Sequence, residues 1–165
     1  MRPGASGERA QTTIDFAIGI GLFLIVVAFV VAFVPTIFTP FQSTEGPQTA
    51  DRIATSLSTD RLGDPTEPYV VNETCTEGFF DQLNGGGPAP STCSFNTSAT
   101  TTREVFALDR TRDVNVTVRY ANGSVVDSGV RLAAGPTPPE TTSVASATRV
   151  VSLGERPRRL TVRTW

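Results

Sequence analysis

From Phe16 to Val34 the sequence reads FAIGIGLFLIVVAFVVAFV, and no charged residue occurs between Phe16 and Thr44. A run of about 19 residues, rising 1.5 Å each as a helix, reaches roughly 30 Å, which is one bilayer hydrocarbon thickness. A helix in a soluble protein keeps a polar face, and this segment has none, so its expected surroundings are membrane lipid or copies of itself. The apolar core of a cleaved secretory signal is shorter, about 7 to 15 residues. Pro35 and Pro40 are expected to kink or end the helix where it leaves the membrane.

Arginine asymmetry orients the span. Arg2 and Arg9 precede it, whereas neutral FTPFQST follows before Glu45. The N-terminus is therefore expected in the cytoplasm and the C-terminal part outside the cell, in a single-pass arrangement. Ala17, Gly21, Ala28 and Ala32 fall near one helix face, the first and last pairs each spaced by four, and such small residues let helices approach closely.

Composition narrows the chemistry. Every one of the 14 basic residues is arginine, and histidine is absent. Without histidine, the usual general base near neutral pH and the commonest metal ligand is missing, which argues against most hydrolase and zinc mechanisms. The arginines are scattered or sit beside acids, so nucleic acid is not an expected partner. Gly85-Gly86-Gly87 lacks the lysine and hydroxyl residue of a phosphate loop. Glu104, Asp109 and Asp113 offer carboxylate pairs of the kind glycosidases use, but solvated surface charges are the simpler reading. No cofactor, metal or catalytic residue is expected.

Just before the apolar run stands Arg9-Ala10-Gln11-Thr12-Thr13-Ile14-Asp15-Phe16. A carboxylate beside lipid costs about 2.5 to 3.5 kcal/mol at mid-membrane and less at the boundary, so Asp15 calls for a partner or a role. This octet resembles the processing site of archaeal type IV prepilins, where a short basic leader precedes a glutamine, a hydroxyl residue, an acid and a phenylalanine. The resemblance implies a leader over residues 1–10, cut by a prepilin peptidase between Ala10 and Gln11. It also implies that Asp15, fifth in the mature chain and followed by Phe16, neutralises the N-terminal amine of a neighbouring subunit during assembly. Aspartate replaces the family's glutamate, threonine its serine, and alanine its glycine before the cut. The opening residues are also similar to those of halophilic archaeal membrane proteins of unassigned role; acidic residues and serine or threonine in place of lysine suit such an organism, although high genomic G+C produces the same arginine bias.

Beyond the helix, expected over residues 11–40, FQSTEGPQ reads as a polar linker, 41–47, leading to an extracytoplasmic domain over 48–165. Residues 48 to 62 are predicted as a short amphipathic helix from Ile53, Leu57 and Leu62, with Gly63 as its stop. Cys75 and Cys93, the only cysteines, flank a loop rich in glycine, proline and serine, and a disulfide between them would persist outside the cytoplasm. Four Asn-X-Ser/Thr sequons at Asn72, Asn96, Asn115 and Asn122 are candidate N-glycan acceptors.

Alternation of Val114, Val116, Val118 and Tyr120 with polar residues predicts a strand, with a type I′ turn at Asn122-Gly123 and a return strand from Ser124 to Leu132. Ala133 to Glu140 reads as a loop, and Val144 to Leu153 with Arg158 to Trp165 as a second hairpin around GERP. Arg156, Arg158 and Arg159 could grip an anionic glycan or surface polymer, but a solvated hairpin tip is the simpler reading. The expected fold is α+β, a hydrophobic N-terminal helix followed by a small domain with a short helix and an antiparallel sheet of about four strands.

The leading expectation for function is a type IV pilin-like structural subunit or pseudopilin, self-associating or joining other pilin-like subunits. The alternative is a single-pass anchored extracellular binding module that forms no filament.

Overall fold

The computed structural model describes the backbone of residues 7–42, 45–64 and 66–165, and the side chains of residues 14–34, 46–64 and 66–165. The chain divides into two units, Met1–Ser43 and Thr44–Trp165. Each is described in its own terms.

The first unit is one helix, α1 (Gly7–Gln42). Within it, Ile14–Val34 is a 21-residue stretch long and apolar enough to cross a membrane, and none of it is buried by the chain itself. Phe29 and Phe33, one helical turn apart, stack with ring centroids 5.5 Å apart. The helix does not end at Pro35 or Pro40 but runs on to Gln42. Proline forfeits one backbone hydrogen bond, yet its locked φ is close to the helical value, so an end is not obligatory.

The second unit starts with α2 (Glu45–Ser56), earlier than the expected boundary at 48. Pro47 falls in its first turn, where a missing N–H costs nothing, and three residues read as linker belong to the helix. Ser43 and Thr44 lie outside the described residues. α2 also stops short of 62, because Leu57–Arg61 widens into a π-turn closed by Leu62 N donating to Leu57 O at 3.2 Å. The hydroxyls of Ser58 and Thr59 both donate to Thr55 O, at 3.0 and 2.9 Å, taking a carbonyl the α-helical ladder would use.

Six strands form one mixed sheet in the order β1-β2-β5-β6-β3-β4: β1 (Gly63–Asp64), β2 (Glu67–Val71), β3 (Val114–Arg119), β4 (Ala133–Ala134), β5 (Ala145–Leu153) and β6 (Arg156–Thr164). The expected antiparallel four is thus corrected twice. β1 and β2 arise from residues given no element in the sequence, and β2 runs parallel to β5, pairing Val70 with Ser152 and Val71 with Leu153. β4 comes from the first two residues of the stretch read as a loop, and it occupies the sheet edge, where the glycine and prolines that follow do no harm.

The type I′ turn expected after β3 is found instead between β5 and β6. Between β5 and β6, Gly154 (φ +58°) and Glu155 (φ +60°) are both left-handed, and Leu153 pairs with Arg156, so this is the two-residue type I′ turn. After β3, only Gly123 is left-handed, at φ +88°. Gly123 N donates to Tyr120 O at 3.0 Å and Tyr120 N to Ser124 O at 2.9 Å, the three-residue loop with a glycine bulge. The return strand is also shorter than expected. Val118 N donates to Leu132 O while Val118 O accepts from Val126 N, so Val126 and Leu132 both reach β3 and the residues between them are extruded as a loop.

The segment between the cysteines holds more structure than its composition suggests. α3 (Glu73–Leu83) fills its first half, capped by Asn72, whose side chain accepts from Cys75 N at 2.9 Å. A fourth, one-turn helix, α4 (Thr102–Val105), begins at Thr101, whose hydroxyl accepts from Glu104 N. α2 packs on β5 and β6. The core joins Ala50, Ile53, Ala54 and Leu57 of α2 and the π-turn to Phe79 and Phe80 of α3, all less than 5% exposed, and to the buried inward residues of the sheet.

Candidate functional site

In α1 the residues from Ile14 to Val34 present apolar side chains around the whole circumference, with Phe16, Phe23, Ile25 and Phe29 each about two-thirds exposed. Asp15 is exposed at the start of this stretch, the one charged residue in it. At about 100° per residue, Ala17, Gly21, Ala28 and Ala32 fall within roughly 60° of one another around the axis. A Cβ built on Gly21 would meet nothing within 4 Å, so nothing in its own chain requires glycine there. The helical backbone includes Ala10 and Gln11, but the side chains at this expected cleavage position lie outside the described residues, as do residues 1–6.

In the second unit Cys75 and Cys93 form a disulfide with a Cα–Cα separation of 5.5 Å. It staples the first turn of α3 to the segment that carries Phe95 back into the core. Gln82 reinforces the same loop: its side chain is buried and bonds to the backbone of Asn96, Ala99 and Ala89. Sequence reading missed Gln82, since nothing in its surroundings marks a polar side chain as buried.

The four sequons separate by environment. Asn72, Asn96 and Asn122 are exposed, whereas Asn115 is only 8% exposed and donates its amide to Ala134 O and Gly135 O, both at 3.3 Å. In Asn96 and Asn122 the side-chain oxygen accepts from both the backbone N–H and the hydroxyl of the serine two residues on, forming local turns.

Two of the acids considered for catalysis, Glu104 and Asp113, are occupied structurally, and Asp109 is exposed. Glu104 accepts from Thr100 N at 2.7 Å and from its hydroxyl at 3.1 Å, which holds its carboxyl below the usual carboxylate range. Asp113 pairs with Arg103. Arg158, expected at a solvated tip, stacks over Tyr120 with 4.7 Å to the ring centroid. Among the described residues no three His, Cys, Asp or Glu side chains gather to hold a metal ion.

These features define a class: an α+β unit stapled by a disulfide and preceded by one long apolar helix. Residues 7–165 match the family described as "Family of unknown function (DUF7287)", and the chain belongs to that family. No curated protein and no solved structure matches it.

Proposed function

We propose that this protein is a type IV pilin-like structural subunit or pseudopilin, cut before Gln11 by a prepilin peptidase and assembled through α1 in a surface filament or a secretion or adhesion apparatus. The observation that carries this reading is a helical stretch, Ile14–Val34, apolar on every side with one carboxylate, Asp15, at its N-terminal end. Such a surface has two stable surroundings, lipid and a bundle of like helices, and the same segment serves in both. In a bundle, the Asp15 carboxylate pairs with the amine that cleavage creates on Gln11 of a neighbour. Two opposite charges in an apolar interior are tolerated as a pair and costly apart. The disulfide suits a second unit held outside the cytoplasm, where such bonds persist.

N-terminal mass spectrometry of the native protein tests the processing step, and a mature chain beginning at Gln11 is expected. A chain beginning at Met1 in cells with an active prepilin peptidase would leave the alternative, an anchored binding module that forms no filament. Asp15→Ala is expected to impair assembly more than membrane insertion, and entry of that variant into filaments at the wild-type level would end the pairing role.

A further inference from the structure

Strand register assigns each residue of the sheet to one of two faces. Val114, Val116 and Val118 of β3 share the core face with Leu160 and Val162 of β6. The other face is polar except at exposed Val150 of β5, and it is organised in rows across three strands; Asn115, Thr117 and Thr161 are buried in it, while Ser146, Thr148 and Arg159 are exposed. Arg119 of β3 stands directly opposite Arg159 of β6, and Arg159 stands beside Val150 of β5. The next row places Thr117 beside Thr161 and Thr161 beside Thr148 of β5. The third places Asn115 beside Arg163 and Arg163 beside Ser146.

Three features of this face are not explained by stability. Like charges directly opposite on neighbouring strands disfavour the sheet, yet Arg119 and Arg159 are so placed. None of Arg119, Arg159 and Arg163 makes an ion pair among the described residues, and the nearest carboxylate in register, Asp113, is taken by Arg103. Polar capacity is also left over. Thr117 Oγ1 is buried without a hydrogen-bond partner, as is Arg119 Nε, although Arg119 Nη1 donates to Gly123 O at 2.7 Å. The cationic rows therefore stand without counter-charge in a chain whose net charge is −2.

We propose that this face binds a polysaccharide bearing sulfate or carboxylate groups. Guanidinium groups match the oxygens of both anions with paired N–H donors. Arg159 and Arg163 lie four residues apart on one strand, about 13 Å, so they engage successive anionic groups of an extended polymer instead of one small ion. Between them the exposed Thr148 hydroxyl, held 3.1 Å from that of buried Thr161, offers a donor and acceptor suited to sugar hydroxyls. Single-stranded nucleic acid carries comparable charge, but its binding surfaces use aromatic side chains to stack bases, and these three rows contain none.

The test uses the full chain in detergent micelles, titrated by fluorescence anisotropy with labelled dextran sulfate, polygalacturonate, uncharged dextran and polyuridylate. Binding to at least one of the first two, and none to uncharged dextran, is expected. Arg159→Gln with Arg163→Gln should weaken it about tenfold, while Arg156→Gln with Arg110→Gln, which removes the same charge elsewhere, leaves it unchanged. Comparable thermal midpoints of the two double variants keep the comparison on binding. Equal loss in both pairs, no binding to either anionic polysaccharide, or equal affinity for polyuridylate would overturn the proposal.

Discussion

Cys75, in the first turn of α3, is covalently joined to Cys93, 18 residues later, and the bond encloses a segment whose helix is anchored in the core by Phe79 and Phe80. Closing a loop of this length restricts the unfolded chain and contributes about 3 kcal/mol in the chain-entropy account. Cys75→Ser with Cys93→Ser is therefore expected to lower the unfolding free energy by about that amount in urea titrations. A midpoint unchanged by the double substitution would show that the helix and Gln82 hold the loop unaided.

Gly135 follows β4 with φ +88°, a conformation that side-chain-bearing residues rarely adopt. A Cβ there would lie 2.1 Å from the carbonyl oxygen of Val114, on backbone that cannot swing aside. Gly135→Ala should destabilise the unit by at least about 2 kcal/mol, from left-handed strain and overpacking together. Thermal unfolding reads the effect, and a shift within error of wild type would mean that β4 moves freely from the edge.

Phe79 is fully buried and touches three other rings, with centroids 5.1 Å to Phe80, 5.3 Å to Phe95 and 6.2 Å to Phe106. Phe79→Ala removes the centre of this cluster and should cost about 3 to 5 kcal/mol. Phe79→Leu, which keeps most of the volume, should cost markedly less by the same denaturant measurement.

Acid should act through two exposed carboxyls. Asp64 is held below the usual range by a backbone bond from Thr66 and then by its hydroxyl, and Glu104 by the corresponding pair from Thr100. Their folded-state pKa values lie below the unfolded ones, so their contribution is complete above about pH 4 to 5 and is lost as pH falls through the folded values. Asp64→Asn with Glu104→Gln should flatten the decline of the thermal midpoint below about pH 4. An acid profile identical to wild type would assign that decline to other carboxylates.

Legibility followed the range of the interaction. The apolar helix, β3 and the β5–β6 pair were readable because each rests on periodicity within a few residues of chain. The disulfide was readable because only two cysteines exist to form it. α3 was missed since its stretch, ETCTEGFFDQL, carries weak helical patterning between threonines and glycine, and its helicity rests on an asparagine cap and on burial of Phe79 and Phe80 against distant residues. The turn after β3 differs from its expected type for a related reason. Asn-Gly favours type I′ locally, but the loop after β3 is fitted to contacts that Val126 and Leu132 make with Val118.

Sequence alone determined that one segment is apolar on every side and long enough to cross a membrane, and that valine, leucine and phenylalanine after it must be covered, because hydrophobicity is a property each residue brings with it. Tertiary structure alone decided that β2 lies parallel to β5, that Asn115 is buried while the other sequon asparagines are exposed, and that Arg119, Arg159 and Arg163 share a face. Those arrangements depend on pairing between strands as much as about 80 residues apart. A one-residue slip in such pairing sends every side chain to the opposite face, so the register, set by the packed whole, is what gives the polar residues their neighbours.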